Sequence, residues 1–300
     1  MREKLLAMLA VLSLIYGVLS YIDRQDDYAA EQSIWKINNS LELLLRDSAN
    51  VPEQSYLDME KKYKKFAERF PNSYLAPRAF LTIGNMYSAK LDYDRARYNL
   101  GEVLRLYPKN SEACAQALTN IGKTYELEGD WPKALESYHE LQQRYPLTTA
   151  GLENFMYIAQ TLQKRGDTQK ALVAFEEAAA HYKDFIGRYR GSATEVESLR
   201  LLASVYMAQE KWKESVETLG EALIISASLR MLTPPQANVL LKSINTISVV
   251  ELRDYDMPIN IYNKFIERNP AHGLRPVLKK LIKVLETLKA NKSGVGTIKL

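Results

Sequence analysis

The residues that most often carry chemistry are scarce in this sequence and do not cluster. The chain has one cysteine, Cys114, and three histidines, His139, His181 and His272. One cysteine forms neither an intramolecular disulfide nor a thiolate-cluster metal site, and three separated histidines offer little for a histidine-based centre. The sequence therefore predicts no metal site and no bound cofactor.

Carboxylate pairs are present, but their setting favours solvated helix surface. The pair Glu176–Glu177 lies in a helical pattern, whereas acid–base catalysis needs two groups that converge on one substrate with shifted pKa values. The sequence has no phosphate-binding glycine loop, zinc-ligand spacing or nucleophile elbow. We therefore expect a protein that is not an enzyme.

The composition is that of a globular protein with an unusual excess of tyrosine. The 300 residues are 46% hydrophobic and 25% charged, which excludes disordered and collagen-like chains. Only 13 glycines and 11 prolines argue against a loop-rich β-sandwich. The 19 tyrosines, against 7 phenylalanines and 3 tryptophans, indicate an architecture that uses a large ring with a polar tip.

Two stretches of the chain repeat the same pattern, at residues 77–108 and 115–146. Their matched positions lie 38 residues apart and pair Phe80 with Leu118, Gly84 with Gly122, Tyr87 with Tyr125, Tyr93 with Trp131, Ala96 with Ala134, Leu100 with Tyr138, and Pro108 with Pro146. A glycine inside a helix costs about 1 kcal/mol, so its presence predicts a close approach of the next helix, with Ala96 and Ala134 as the small residues that face Gly84 and Gly122. The closing proline predicts the end of that next helix.

This pattern resembles the tetratricopeptide repeat, in which large, Leu-Gly, Tyr, Ala, Phe and Pro residues recur within 34 positions. The resemblance implies an all-α, right-handed solenoid of about five to six helix-turn-helix repeats, and it implies protein binding. The chain is also similar to tetratricopeptide proteins of the bacterial cell envelope.

The other segments follow from weaker copies of the pattern. The first predicted segments are a short n-region (1–4), an apolar helix (5–22), and a linker with a first helix (23–50). A solenoid (51–272) follows, with clear repeats at 77–108 and 115–146, degenerate repeats at 152–191 and 196–231, and partial repeats at 52–71 and 235–270. The last segments are a capping helix (273–290) and a flexible tail (291–300). A polar capping helix is expected because a solenoid end must face water.

The amino terminus carries an uncharged run at residues 5–22, preceded by Arg2 and Lys4. Its length is close to the roughly 20 residues that cross a bilayer, and basic flanks stay inside the cell. We therefore expect a single-pass anchor in the cytoplasmic membrane with the bulk of the chain in the periplasm. The alternatives are a cleaved signal peptide, which releases the chain to the periplasm, and a buried helix.

The carboxyl end is basic. Residues 264–300 carry a net charge of +7, against +4 for the whole chain. This end could bind an acidic partner or anionic lipid, or it could be a solvated lysine-rich helix face. An extracytoplasmic location argues against nucleic acid as a partner.

The resemblance also implies where a protein partner binds, because positions 2, 5, 9 and 12 of the first helix of each repeat line the concave groove. Those positions are Arg78, Leu81, Asn85, Ser88, Gln116, Thr119, Lys123, Glu126, Glu153, Met156, Gln160, Gln163, Arg200, Ser204 and Met207. This mixed polar surface suits an extended peptide or a partner helix. One subtype of the family clamps the carboxyl terminus of its partner with cationic side chains. Leu81, Glu153 and Tyr157 stand at the positions of those cations here, which excludes this subtype.

The sequence thus predicts a non-catalytic protein-interaction scaffold on the extracytoplasmic side of the membrane, acting in envelope assembly or maintenance. The alternative is a soluble cytoplasmic adaptor or an accessory subunit of an enzyme complex. Ten tyrosines fall on repeat positions where a ring packs between helices and its hydroxyl reaches a polar partner. They are Tyr63, Tyr87, Tyr93, Tyr107, Tyr125, Tyr138, Tyr145, Tyr206, Tyr255 and Tyr262.

Overall fold

The computed structural model describes residues 2–46 and 51–294, and this part of the chain is helical without strands. Its helices are α1 (Arg2–Leu45), α2 (Glu53–Arg69), α3 (Ala76–Ala89), α4 (Tyr93–Leu106), α5 (Ser111–Glu128), α6 (Trp131–Arg144), α7 (Thr149–Lys164), α8 (Thr168–Arg188), α9 (Ala193–Ala208), α10 (Trp212–Ser228), α11 (Pro234–Thr246), α12 (Asp256–Arg268) and α13 (Arg275–Gly294). The predicted all-α class is confirmed.

The chain divides into two compact units, at residues 1–150 and 151–300. In the first unit α1 contacts α2, α3 contacts α4, and α5 contacts α6. In the second unit α9 contacts α10, and α12 contacts both α10 and α13. Consecutive helices joined by short turns therefore pack as pairs in both units, as the repeat pattern predicts.

Local sequence fixes the ends of the paired helices in the first unit. The side chain of Asp92 caps α4 by accepting a hydrogen bond from the Arg95 backbone N–H, and Asp130 caps α6 in the same way. Such caps satisfy one of the N–H groups that a helix start leaves unpaired. Gly129 ends α5 with a φ of 85°, a left-handed conformation that glycine adopts without strain.

The glycines inside α3 and α5 allow the close helix approach that the sequence predicts. A Cβ atom on Gly84 would lie 2.5 Å from Leu100 Cγ, and one on Gly122 would lie 2.3 Å from Tyr138 Cε1. The sequence placed the small residues Ala96 and Ala134 against these glycines. The groups that meet them are instead the large side chains four residues later, and the buried alanines accompany this approach.

The tyrosine excess is explained by packing between paired helices. Tyr63, Tyr87, Tyr138 and Tyr262 are fully buried. Their hydroxyls donate hydrogen bonds to Asn38, Glu60, Glu126 and Asn245, respectively. The predicted combination of a buried ring and a bonded hydroxyl is therefore confirmed at these four repeat positions.

Two segments of the second unit depart from the regular repeat. Helix α8 has 21 residues, whereas α4 and α6 have 14 each, and its additional turns bury Tyr182 and Phe185. Helix α11 continues into a π-helical turn at Ile247–Glu251. Residues 246–250 are thus helical.

The predicted membrane anchor needs correction. The apolar run at residues 5–22 is the first part of α1, which continues to Leu45 and buries Ala30 and Ile34. In the part of the chain that the structure describes, no helix combines the length and hydropathy that a bilayer crossing requires. The predicted location as a single-pass protein of the cytoplasmic membrane is therefore wrong.

The two other expectations for the chain ends have different outcomes. The described side chains between Met8 and Gly17 are exposed, so this stretch is not a buried helix. The predicted flexible tail at 291–300 begins within α13, and residues 295–300 lie outside the described part.

Candidate partner-binding face

The predicted groove residues of the first two repeats lie on two neighbouring helices, α3 and α5. We call them the helix-A face: Arg78, Leu81, Asn85, Ser88, Gln116, Thr119, Lys123 and Glu126. The two helices are in contact, and the Nδ2 of Asn120 donates a hydrogen bond of 2.8 Å to the Oδ1 of Asn85. The structure thus brings these positions together on one surface of the first unit.

Three amide side chains cross this face as a directed chain of hydrogen bonds. The Nε2 of Gln116 donates to the Oδ1 of Asn120 at 2.9 Å, and Asn120 in turn donates to Asn85. Asn85 and Gln116 are exposed. Among the described residues, the amide nitrogen of Asn85 and the amide oxygen of Gln116 have no partner. The chain therefore presents a free donor at one end and a free acceptor at the other.

A cavity of about 330 Å³ opens at the amino-terminal ends of α3 and α5. Its lining residues are Tyr74, Pro77, Arg78, Leu81, Asn110, Glu112, Ala113 and Gln116. Ligand pockets span roughly 300–1,000 Å³, so this cavity lies at the small end. It fits one or two side chains of a peptide better than a whole cofactor.

Tyr74, at the edge of this cavity, joins α1 to the helix-A face. Its hydroxyl donates a 2.8 Å hydrogen bond to the Oε1 of Glu31, and the Arg78 guanidinium lies 5.7 Å from its ring centre. The bond to Glu31 raises the pKa of Tyr74 above its ordinary value of 10.0. Trp35, one turn beyond Glu31 on the same side of α1, is 65% exposed. Exposed aromatic rings are common anchors in protein interfaces.

Two of the remaining residues of the helix-A face form hydrogen bonds within the protein. The Glu126 carboxylate accepts the Tyr138 hydroxyl at 2.9 Å, and the Thr119 hydroxyl donates to the Ala115 carbonyl. Ser88 is half-buried, and Lys123 is exposed. The exposed residues of this face are therefore Arg78, Asn85, Gln116 and Lys123.

The small cavity presents charged side chains of both signs. Arg78 and Glu112 place one cation and one anion at the cavity, without a nucleophile beside a base. Cys114 is fully buried, and its Sγ lies 3.3 Å from the Tyr107 carbonyl oxygen. The described residues contain no group of three or more His, Cys, Asp or Glu side chains able to hold a metal.

The predicted groove residues of the second unit form a poorer surface. Glu153, Gln160 and Gln163 are exposed on α7, but Met156 is only 7% exposed. Its backbone N–H lies 3.3 Å from the hydroxyl oxygen of Tyr182. The position was inferred from a repeat with a short second helix, whereas α8 continues for about two more turns here. Met156 therefore does not line the surface.

On α9 the predicted residues are also partly engaged. The Nη1 of Arg200 pairs with the Oε2 of Glu197 at 2.5 Å, and the Ser204 hydroxyl donates to the Arg200 carbonyl. Met207 packs against the core cluster of the second unit. These contacts leave α9 with few free groups for a partner.

A larger cavity, of about 830 Å³, lies between the carboxyl-terminal ends of α2 and α4 and shares Asn110 with the smaller one. Two of its charged residues are already paired within their own helices, Lys64 with Glu60 and Arg105 with Glu102. Size alone favours this cavity, but paired charges offer little to a ligand. The smaller cavity, beside unpartnered amides and exposed rings, is the better candidate.

Comparisons with known proteins agree with the repeat pattern. A family model described as the tetratricopeptide repeat matches residues 78–110 and 116–148, which span most of α3 to α6. No curated protein sequence matches the chain.

Solved structures also match, among them the crystal structure of the APC/C hetero-tetramer Cut9–Hcn1. The match has 12% identity and a TM-score of 0.35, and it covers 77% of this chain and 39% of that chain. This chain thus spans about two fifths of the length of its match. A likeness at this level carries no information about partners.

Proposed function

We propose that this chain, which carries tetratricopeptide repeats at residues 78–110 and 116–148, is a non-catalytic scaffold that binds an extended segment of a partner protein on the helix-A face. The observation that carries the proposal is the hydrogen-bonded chain Gln116–Asn120–Asn85. An extended peptide exposes alternating N–H and C=O groups. A surface with one free donor and one free acceptor is complementary to such a backbone.

The surroundings of the amide chain supply the other parts of a peptide site. The cavity of about 330 Å³ accepts a side chain of the bound segment against Leu81 and Ala113. Arg78 and Glu112 at its edge favour a polar or charged neighbour to that side chain. Tyr74 offers an exposed ring at the cavity.

Of the two functions that the sequence predicts, the adaptor or accessory subunit is the one that these observations support. Tetratricopeptide repeats indicate protein partners. The envelope function depended on a membrane span at residues 5–22, which the described residues do not form. Neither a membrane nor an anionic lipid is supported as a partner.

Co-purification from the source cells with a matched pair of variants tests this function. The double variant Asn85→Ala/Gln116→Ala removes both free amide groups from exposed positions. The control Gln143→Ala/Gln169→Ala makes the same kind of change at exposed positions elsewhere on α6 and α8. Both variants should melt within a few degrees of the native chain, because exposed substitutions change stability by about 0.5 kcal/mol.

The native chain and the control should recover the same partner, and the Asn85→Ala/Gln116→Ala variant should recover at least about fivefold less of it, a loss of about 1 kcal/mol from missing hydrogen bonds. Equal recovery by all three proteins, or equal loss in both variants, would show that the helix-A face is not the binding site.

A further inference from the structure

Helix α13 carries an apolar stripe that no described helix covers. Val277, Val284 and Leu288 are 47%, 55% and 43% exposed, and Leu281 between them is half-buried. Their spacings of four, three and four residues place them along one side of the helix. Leu281 packs against the core of the second unit, which Leu278 and Leu285 of α13 join, whereas the three exposed residues of the stripe lie outside that core.

The spacing of the stripe matches the seam of a coiled coil. Heptad seams alternate steps of three and four residues, and each apolar side chain inserts between those of a facing helix. From Val277 to Leu288 the stripe is about 16 Å long at 1.5 Å per residue. It therefore offers three turns of contact to a partner helix.

The charges beside the stripe are predominantly basic. Lys279, Lys280 and Lys283 are exposed and make no ion pair with a described residue, whereas Lys289 is paired with Asp256 of α12. Glu286 is the one acidic side chain among residues 275–291. On the helical wheel, Lys280 directly flanks the stripe on its solvent side.

From the exposed stripe and its lysine flank we infer that α13 is a docking surface for an amphipathic helix of a partner protein that carries acidic residues beside its apolar seam. The apolar seam provides burial, and opposite charges along the edges of two helices select the partner and its orientation. A second copy of α13 is disfavoured, because both helices would carry a net positive charge. This surface belongs to the second unit and does not depend on the helix-A face.

Synthetic helices test this inference with the full chain. Two 21-residue peptides share the same leucine seam and differ only at the flanking positions, which are glutamate in one and lysine in the other. Fluorescence anisotropy measures their Kd for the native chain and for three variants. Val284→Ser/Leu288→Ser removes the seam, Lys280→Glu reverses the charge beside it, and Val239→Ser is the control, since Val239 is a similarly exposed valine on α11.

The acidic peptide should bind saturably with one site per chain, and the lysine peptide should bind at least about tenfold more weakly. The seam variant should lose binding by about tenfold or more, the flank variant should prefer the lysine peptide, and the control should match the native chain.

Four results would overturn the inference. They are equal affinity for both peptides, no binding of either, binding that survives loss of the seam, and self-association that analytical ultracentrifugation detects without peptide and that the seam variant abolishes. The last would make the occupant a second copy. A separate experiment measures sedimentation of the chain with vesicles of anionic phospholipid. Binding to these vesicles through the same residues would also overturn the inference.

Discussion

The ring of Tyr138 lies so close to the backbone of α5 that a Cβ atom on Gly122 would be 2.3 Å from its Cε1 atom. The hydroxyl of the same tyrosine donates a hydrogen bond of 2.9 Å to Glu126, one turn further along α5. The glycine, which is unfavourable within its own helix, leaves room for the tyrosine ring, and the polar hydroxyl of that buried ring is satisfied by Glu126. Their contact fixes the pairing of α5 with α6.

Replacing Gly122 with alanine should destabilise the first unit. No Cβ fits without displacement of Tyr138, and overpacking of this kind costs about 1–3 kcal/mol. Urea unfolding followed by circular dichroism measures the free energy of unfolding. Gly101→Ala is the control, because a Cβ at Gly101 meets nothing within 4 Å and alanine there should stabilise α4 by up to about 1 kcal/mol. Equal stability of the two variants would contradict the close approach.

Removing the hydroxyl of Tyr87 should raise the pKa of Glu60. Burial raises the pKa of Glu60, but hydrogen bonds from Lys64 and Tyr87 outweigh it and hold the pKa below its ordinary value of 4.5. A carboxylate with a lowered pKa stabilises the fold above pH 4.5, and this stabilisation is lost as the pH falls through the folded-state value.

The Tyr87→Phe variant should therefore lose about 1–3 kcal/mol at pH 7 and show a flatter loss of stability in acid. NMR titration of the Glu60 carboxyl measures the pKa directly. Tyr98→Phe is the matched control, since the ring of Tyr98 is exposed. An unchanged pKa of Glu60 in Tyr87→Phe would refute this role of the hydroxyl.

Acid should destabilise the second unit through His181. Its ring stacks on Phe155 at 3.8 Å between centroids, and its buried Nε2 has no partner among the described residues. Burial lowers the pKa of His181 below 6.5; nearby Asp184 opposes the shift and Arg188 adds to it. His181 therefore binds a proton more readily in the unfolded chain than in the folded chain, so the free energy of unfolding falls as the pH drops below 6.5.

The His181→Phe variant should keep more of its stability between pH 7.5 and pH 5 than the native chain. Urea unfolding at the two pH values measures this difference. The control is His139→Gln, at an exposed position on α6, which should follow the native chain. A native-like loss of stability in His181→Phe would assign the acid sensitivity to another group.

Arg97 should contribute more to stability than an ordinary surface arginine. From α4 it pairs with Glu128 of α5, Nη1 to Oε2 at 2.5 Å, and its guanidinium lies 4.4 Å from the Tyr125 ring centre. Arg97→Ala should cost about 1–2 kcal/mol, because a cation–π contact and an ion pair between helices are lost together. Arg105→Ala, which breaks an exposed pair within one helix, should cost clearly less than Arg97→Ala. Similar losses in thermal unfolding would argue against a bridging function of Arg97.

The sequence was sufficient for the features that depend on local chemistry at fixed spacing. Glycine marks where another helix can pack closely, a capping aspartate marks where a helix begins, and proline marks where it ends. The repeats at 77–108 and 115–146 could therefore be found without coordinates. The buried tyrosines follow from the same frame. The residue that meets Gly84 could not be found, since Ala96 and Leu100 are both apolar and only the helix rotation distinguishes them.

Features outside the repeat frame were missed or misread. Tyr74 precedes the first repeat position and Trp35 lies in a helix without the pattern, so neither entered the predicted groove. Met156 followed the frame but is buried, because the frame does not show how Tyr182 on the long helix α8 packs against α7. The apolar run at residues 5–22 had the length of a membrane span, yet length and composition do not report that it continues as α1 to Leu45.

Photocrosslinking from the helix-A face tests the proposed function most directly. A photoreactive amino acid at Arg78 or Gln116, both exposed at the small cavity, would be activated in the source cells, and the product would be identified by mass spectrometry. The same protein should be captured from both positions, with one extended segment of it carrying the crosslinks, and it should be absent when the probe stands at exposed Leu172 on α8. Capture of no protein from Arg78 and Gln116, or of the same protein from Leu172, would contradict the proposal.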